Sequence, residues 1–128
     1  MEILHANGIP FEPRWSENKV ILTECNSEVL FRSTDTEDRL RGTTLAWFGL
    51  DELTYTRKSA WRILQGRLSA PNAALLRGFG CWTPKGFDWV WPDFVGPDKI
   101  EDHEVVLAKP AENKAVLKND PQYYERLR

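Results

Sequence analysis

The run Leu45-Ala46-Trp47-Phe48-Gly49-Leu50 is almost wholly apolar and stops abruptly on Asp51-Glu52. A run this short, without polar alternation, predicts a strand buried on both faces, as in a parallel sheet covered by helices. Ligands of such sheets sit in the crevice outside the carboxyl ends of the strands. Two adjacent carboxylates at that end repel one another and resist desolvation, so chemistry is one reason to find them there. The plain alternative is that an acid at a strand end caps the next element.

With 128 residues, 41% of them hydrophobic and 28% charged, the chain can form one modest domain around a single core. A net charge of −2 argues against a dedicated nucleic-acid domain, although a basic patch on one face is compatible with it. Cys25 and Cys81 are an isolated pair with no secretory segment before them. They predict reduced, half-buried thiols in an intracellular protein and speak against zinc. No apolar stretch approaches the roughly 18 residues a membrane span needs, which predicts a soluble protein.

Met1 to Ala6 reads as the tail of a helix ended by Asn7-Gly8-Ile9-Pro10. That reading implies a structured segment before residue 1. Lys19 to Thr23 and Glu28 to Arg32 are β-rich runs around Glu24-Cys25-Asn26-Ser27, a hairpin whose Asn26 can take positive φ. Capping residues from Ser33 to Asp38 predict a short helical turn through Leu40. A loop from Leu53 to Tyr55 precedes a helix over Lys58 to Gly66, with Ala60, Trp61 and Leu64 at helical spacing. Ala73 to Trp82 supplies a second buried strand, followed by the turn Thr83-Pro84-Lys85-Gly86 and a short aromatic helix from Phe87 to Phe94, cut near Pro92. Glu104 to Ala108 reads as a third strand, and Asp120-Pro121 as the start of a terminal helix over Gln122 to Arg128. This alternation of strands and helices predicts an α/β fold with mostly parallel strands, flanking helices and an N-terminal β-hairpin.

Four residues are candidates for chemistry. Asp51 and Glu52 end the first strand, and Thr83 ends what should be its neighbour. A hydroxyl there can hydrogen-bond a terminal phosphate or its attacking water, while an ordinary Pro-Gly turn is the structural alternative. Arg41, with Arg32 and Arg39 nearby, can neutralise charge on a transferred phosphoryl group, or can simply belong to a solvated basic turn. His103 between Asp102 and Glu104 has no role, because successive strand residues point to opposite faces. Trp61, Trp82, Trp89 and Trp91 could stack on bases or sugars, but Trp61 and Trp89 fit a core against the sheet.

The order of these elements resembles the second half of the ATPase domain of phage terminase large subunits, the motors that package DNA into procapsids. Trp15, Lys19-Val20-Ile21-Leu22, Asn26-Ser27 and Val29-Leu30-Phe31-Arg32-Ser33 resemble the hairpin before the family's Walker B strand. Asp35 and Leu40-Arg41-Gly42 resemble its Arg-Gly element, and Leu50-Asp51-Glu52 its Walker B acids. Trp61, Leu64 and Gly66-Arg67-Leu68 resemble the following helix, and Thr83-Pro84-Lys85-Gly86 with Trp89 and Phe94 the coupling motif. Glu112-Asn113, Pro121, Tyr123-Tyr124 and Leu127-Arg128 resemble the link to the nuclease. The match covers most of the chain from Trp15 onward, with every motif in the family's order.

The resemblance implies a partial P-loop NTPase-like sheet in a partial ATPase domain over residues 1–108, and a linker over 109–128 leading toward a nuclease domain. It implies ATP and Mg²⁺ as cofactors, with Asp51 as the water-mediated Mg²⁺ partner and Glu52 as the base that activates water. Thr83 would be the coupling and nucleotide-sensing residue, and Arg41 an arginine finger reaching a neighbouring subunit. Double-stranded DNA, the portal protein, the small terminase subunit and a homo-oligomeric ring are the implied partners. The bacterial host cytoplasm, and transiently the procapsid, is the implied location. No G-x-x-x-x-G-K-S/T phosphate loop and no two-metal nuclease signature occurs in these residues, which implies a fragment or split prophage reading frame that is inactive alone. Two other readings compete. A helicase half-domain shares the Asp-Glu strand end, but its box continues to Ala-Asp or Ala-His where this chain has Leu53-Thr54. A non-catalytic assembly or binding module would use the same acids to hold a basic partner surface.

Overall fold

A computed structural model of the chain describes residues 1–127. The fold is mixed α/β, and its strands form two separate sheets, one antiparallel with three strands and one parallel with two. The chain divides into two compact units, Met1–Thr83 and Pro84–Arg128, instead of the single core that its length suggests.

In the first unit, helix α1 (Glu2–Ala6) ends at Asn7, and Gly8 turns the chain with φ of 64°. Strands β1 (Phe11–Arg14), β2 (Lys19–Leu22) and β3 (Ser27–Leu30) then pair as an antiparallel meander. The β2–β3 hairpin forms where the sequence predicts it, and Asn26 takes φ of 51° in its turn. Strand β1 carries no strong strand signal, because Pro13 cannot donate to a ladder; as an edge strand it needs no donor on its outer side. Lys19 on β2 reaches Glu17 at 2.8 Å and Glu28 at 3.0 Å, and hydrogen bonds to both acids raise the pKa of its ammonium above the ordinary value.

A 3₁₀ turn, Glu37–Leu40, buries Leu40 and leads to strand β4 (Trp47–Leu50). Helix α2 (Lys58–Gln65) follows with Ala60, Trp61 and Leu64 buried along one stripe, and Gly66 caps it as predicted. Strand β5 (Arg77–Gly80) returns parallel to β4, with Trp47 opposite Arg77 and Leu50 opposite Gly80. The rings of Phe48 and Trp61 meet edge to face at 5.0 Å, so α2 covers the Phe48 side of this sheet. The other side is open: Trp47 is 49% exposed and Phe79 54%, their rings stacked at 5.8 Å. The expectation of strands buried on both faces is therefore corrected. β4 alternates instead, because one helix covers one face only, and β5 is largely exposed.

The glycines of this pair separate two kinds of close packing. A Cβ on Gly78 would overlap the ring of buried Phe48, whereas one on Gly49 would come within 2.5 Å of the exposed Phe79 ring. Phe79 can swing into solvent and Phe48 cannot. Gly78→Ala is expected to cost about 1–3 kcal/mol by overpacking, and Gly49→Ala well under half as much. Urea unfolding of the two variants measures the difference, and equal losses would refute this asymmetry.

In the second unit, Val90 and Phe94 are buried around a single π-helical turn, Trp91–Val95. The aromatic helix expected over Phe87 to Phe94 is thus shorter and later, and Pro92 sits in its first turn, where a missing N–H costs little. His103 is buried, stacked on Phe94 at 4.2 Å, with Nδ1 3.0 Å from the Asp93 carbonyl oxygen. The third strand expected over Glu104 to Ala108 does not form: the segment is irregular, with Val106 93% and Leu107 79% exposed. A β-branched run makes a strand only when a ladder partner is present. The sheets are accordingly not mostly parallel; one parallel pair stands beside two antiparallel ones.

Helix α3 (Lys114–Asn119) lies where the sequence reading had only a linker, its Val116 N–H donating to the Asn113 side chain. It ends before Asp120 because the residue preceding a proline is pushed out of helical conformation. The helix expected over Gln122 to Arg128 is replaced by turns and a 3₁₀ turn, Glu125–Leu127, with Arg126 paired to Asp120; Arg128 lies outside the described residues. Among the described residues, no helix is long and apolar enough to cross a membrane.

Candidate functional site

Because β4 and β5 are parallel, both strands deliver their carboxyl ends to the same side of the sheet. The residues that follow them are Asp51-Glu52 and Cys81-Trp82-Thr83, and these five line one concavity of about 170 Å³. Asp51, Glu52 and Thr83, singled out separately along the sequence, are brought together by one strand pairing.

Backbone hydrogen bonds explain why the acids project. The Cys81 N–H donates to the Leu50 carbonyl at 2.9 Å, and the Leu53 N–H donates to the Cys81 carbonyl at 2.9 Å. Both flanks of Asp51-Glu52 are thereby tied to one residue of the neighbouring segment, and the two acids loop out between the ties. Leu53 is 0% exposed and anchors the far side of the loop, with the 3₁₀ turn Leu53–Tyr55 following. Closing so short a loop forces Glu52 into the left-handed region, φ 51° and ψ 52°. Asparagines hold the other non-glycine left-handed positions among the described residues, Asn18 and Asn26, both in turns that suit them. A glutamate there carries a strain of about 1–2 kcal/mol, a kind of outlier that concentrates at functional sites.

Both carboxylates are exposed, and Asp51 Oδ1 accepts the Glu52 N–H at 3.0 Å, which orients that side chain. The Thr54 hydroxyl lies 3.5 Å from the Thr83 carbonyl oxygen, a marginal bond between the acid-bearing loop and the Thr83 segment. The Thr83 hydroxyl belongs to an exposed residue on the same rim.

Cys81 also lines this concavity, a residue that sequence reasoning treated only as a half-buried thiol. The structure corrects that expectation for both cysteines, which are exposed and free. The signal for Cys81 was its place directly after a strand, the position from which Asp51 was inferred. Cys25 sits apart in the β2–β3 turn, where hydrogen bonds from the Ser27 side chain and then its backbone hold the thiol below its ordinary pKa.

Arg41 does not reach this concavity. It lies after the Glu37–Leu40 turn, its Nε 3.4 Å from Asp38 Oδ1, and lines a different hollow with Arg62 and Arg67. Arg32 donates to the Arg39 carbonyl oxygen and stabilises the same turn. Trp61 is a core residue, as the helical spacing indicates.

Mg²⁺ binds through one or two carboxylates and keeps much of its water shell, so a full cage of protein ligands is not required. Asp51 and Glu52 fit that demand as hard oxygen donors. Among the described residues, no group of three or more His, Cys, Asp or Glu side chains could hold a metal by itself. The concavity of about 170 Å³ is small beside the roughly 300–1,000 Å³ of whole-ligand pockets. Comparison of the chain with protein families, with curated proteins and with solved structures returned no match.

Proposed function

We propose that this chain is the Walker B and coupling part of the ATPase of a viral DNA-packaging motor, a terminase large subunit with a P-loop-like sheet. The observation that carries the reading is the shared concavity of Asp51, Glu52 and Thr83 at the carboxyl ends of a parallel strand pair. An isolated acid pair has many explanations. An acid pair that shares a concavity with a threonine at neighbouring parallel strand ends suits phosphoryl transfer.

In this reading Asp51 would hold Mg²⁺ through its water shell, and the ion would supply charge neutralisation for the phosphates of ATP. Glu52, presented by a strained backbone, orients and polarises the attacking water. Thr83 senses the terminal phosphate from the adjacent strand end and passes its state to the segment that follows. Arg41, which lines a different hollow, acts on a neighbouring subunit's nucleotide in a ring. Double-stranded DNA, the portal and the small subunit are the partners of that assembly, in the host cytoplasm and at the procapsid. Residues 109–128 lead toward the nuclease.

The exposure of both acids also suits a second reading, in which they bind a basic partner surface without catalysis. One measurement tests whether the chain is inactive alone, and a second separates the readings. The isolated chain is expected to hydrolyse MgATP at the background rate, because its residues contain no G-x-x-x-x-G-K-S/T phosphate loop. The DNA immediately upstream of codon 1 is expected to encode G-x-x-x-x-G-K-S/T in an overlapping frame. Robust turnover by the isolated chain, lost on Glu52→Gln, would overturn the first expectation and reveal an unrecognised phosphate site, whereas an upstream region with no such loop would reject the motor assignment.

A further inference from the structure

The first unit carries a second and larger hollow, about 470 Å³, lined by Arg41, Arg62 and Arg67 with Ile63 and Gly66. We propose that it is a phosphate-binding groove, separate from the acid-lined concavity and recognising the phosphate groups of a polyanion.

Charge distribution is the first support. Residues 37–41 and 57–67 hold six cationic side chains (Arg39, Arg41, Arg57, Lys58, Arg62 and Arg67) against two carboxylates, in a chain whose net charge is −2. Both carboxylates are occupied: Glu37 accepts the Ser59 hydroxyl at 2.6 Å, and Asp38 lies beside Arg41 Nε. Neither lines the hollow. Like charges gathered in one hollow repel each other, and a bound polyanion relieves that repulsion.

Geometry is the second. Arg67 Nη1 donates to the Arg41 carbonyl oxygen at 2.9 Å, which holds one guanidinium against the backbone that carries another. Arg41 engages Asp38 through Nε at 3.4 Å. Among the described residues, the Arg62 side chain has no hydrogen-bond or ion-pair partner, so its whole fork is available. A carboxylate offers one bidentate edge, which one arginine satisfies; a tetrahedral phosphate offers oxygens in several directions, which suits three guanidiniums converging from different elements. No aromatic ring lines the hollow to stack on a base, so phosphate is the recognised group.

The full chain is tested at low salt by fluorescence anisotropy with a labelled DNA duplex, and by calorimetry with inorganic tripolyphosphate. Expected is micromolar or tighter binding of at least one, weakened about fivefold or more by Arg62→Gln and again by Arg67→Gln, and unchanged by Arg77→Gln. Arg62 is exposed and unpaired, so its variant keeps the native circular dichroism and melting temperature. Duplex binding that tripolyphosphate does not displace assigns backbone phosphates, and the salt slope then falls by about one on losing Arg62; displacement assigns a free polyphosphate. Binding of neither probe, binding indifferent to both Arg variants, or equal affinity for poly-glutamate overturns the proposal. Arg62 and Arg67 take no part in the proposed hydrolysis, so this result stands or falls independently of it.

Discussion

Replacing Trp61 with alanine is expected to destabilise the Met1–Thr83 unit by about 3–5 kcal/mol, the range for removing a large aromatic from a packed core. Trp61 is 3% exposed, sits between buried Ala60 and Leu64 on α2, and meets Phe48 of β4 edge to face. The loss therefore combines the transfer energy of the indole, the cavity it leaves, and an aromatic pair worth about 0.5–1.5 kcal/mol beyond its buried area. Domains of this size have only about 5–15 kcal/mol of stability in total, so such a variant is largely unfolded in mild urea. The parallel pair and the acid loop depend on α2 for their single covered face, so the candidate site is lost with it. Urea unfolding followed by far-UV circular dichroism measures the effect, with Trp61→Phe recovering part of it. A loss below about 1 kcal/mol would mean that the Phe48 face is not the core of this unit.

Glu52→Gln carries the largest expected effect on activity. Under the proposed function, with the chain joined to a segment that supplies a phosphate loop, it should lower ATP turnover by roughly a thousandfold or more, while nucleotide affinity changes little. The amide keeps the shape and hydrogen-bonding reach of the carboxylate but not the charge that polarises water. Equal loss of turnover and binding would remove Glu52 from the role of base. A companion variant separates strain from chemistry. Glu52→Gly removes the carboxylate but relieves a left-handed residue, so it should unfold at the same urea concentration as the parent or higher. Loss of hydrolysis together with unchanged or increased stability is the signature of a conformation held for function. A clear drop in stability would instead make Glu52 a structural residue of the loop.

Much of the first unit is legible in the residues. Asn26 marks the hairpin turn, Gly66 the end of α2, and the spacing of Ala60, Trp61 and Leu64 the buried stripe, because each depends on local conformational preference or on helical period. The failures share a different cause. Whether Trp47 and Phe79 are buried, and whether Glu104 to Ala108 becomes a strand, depends on what packs against them, and the residues themselves are silent on that. Helix α3 is signalled by Asn113 as its cap and by Asp120-Pro121 as its stop, yet a proline fits the first turn of a helix as well as the end of one. Arg62 on an exposed helix face and Arg67 just beyond that helix are ordinary surface arginines until a second element brings Arg41 beside them.

The sequence by itself determined that an apolar strand ends on two carboxylates, that a threonine follows a later strand, and that an amphipathic helix lies between them, since hydrophobic period and turn chemistry are local. Only the tertiary structure decided that Asp51, Glu52 and Thr83 share one concavity, that Glu52 is left-handed, and that three arginines meet in another. The parallel register of β4 on β5 and the two hydrogen bonds to Cys81 made the first decision, because they bring far-separated strand ends to a common edge. The hydrogen bond from Arg67 to the Arg41 backbone shows the same physics at the second hollow: a long-range contact converts scattered residues into a surface with one chemistry.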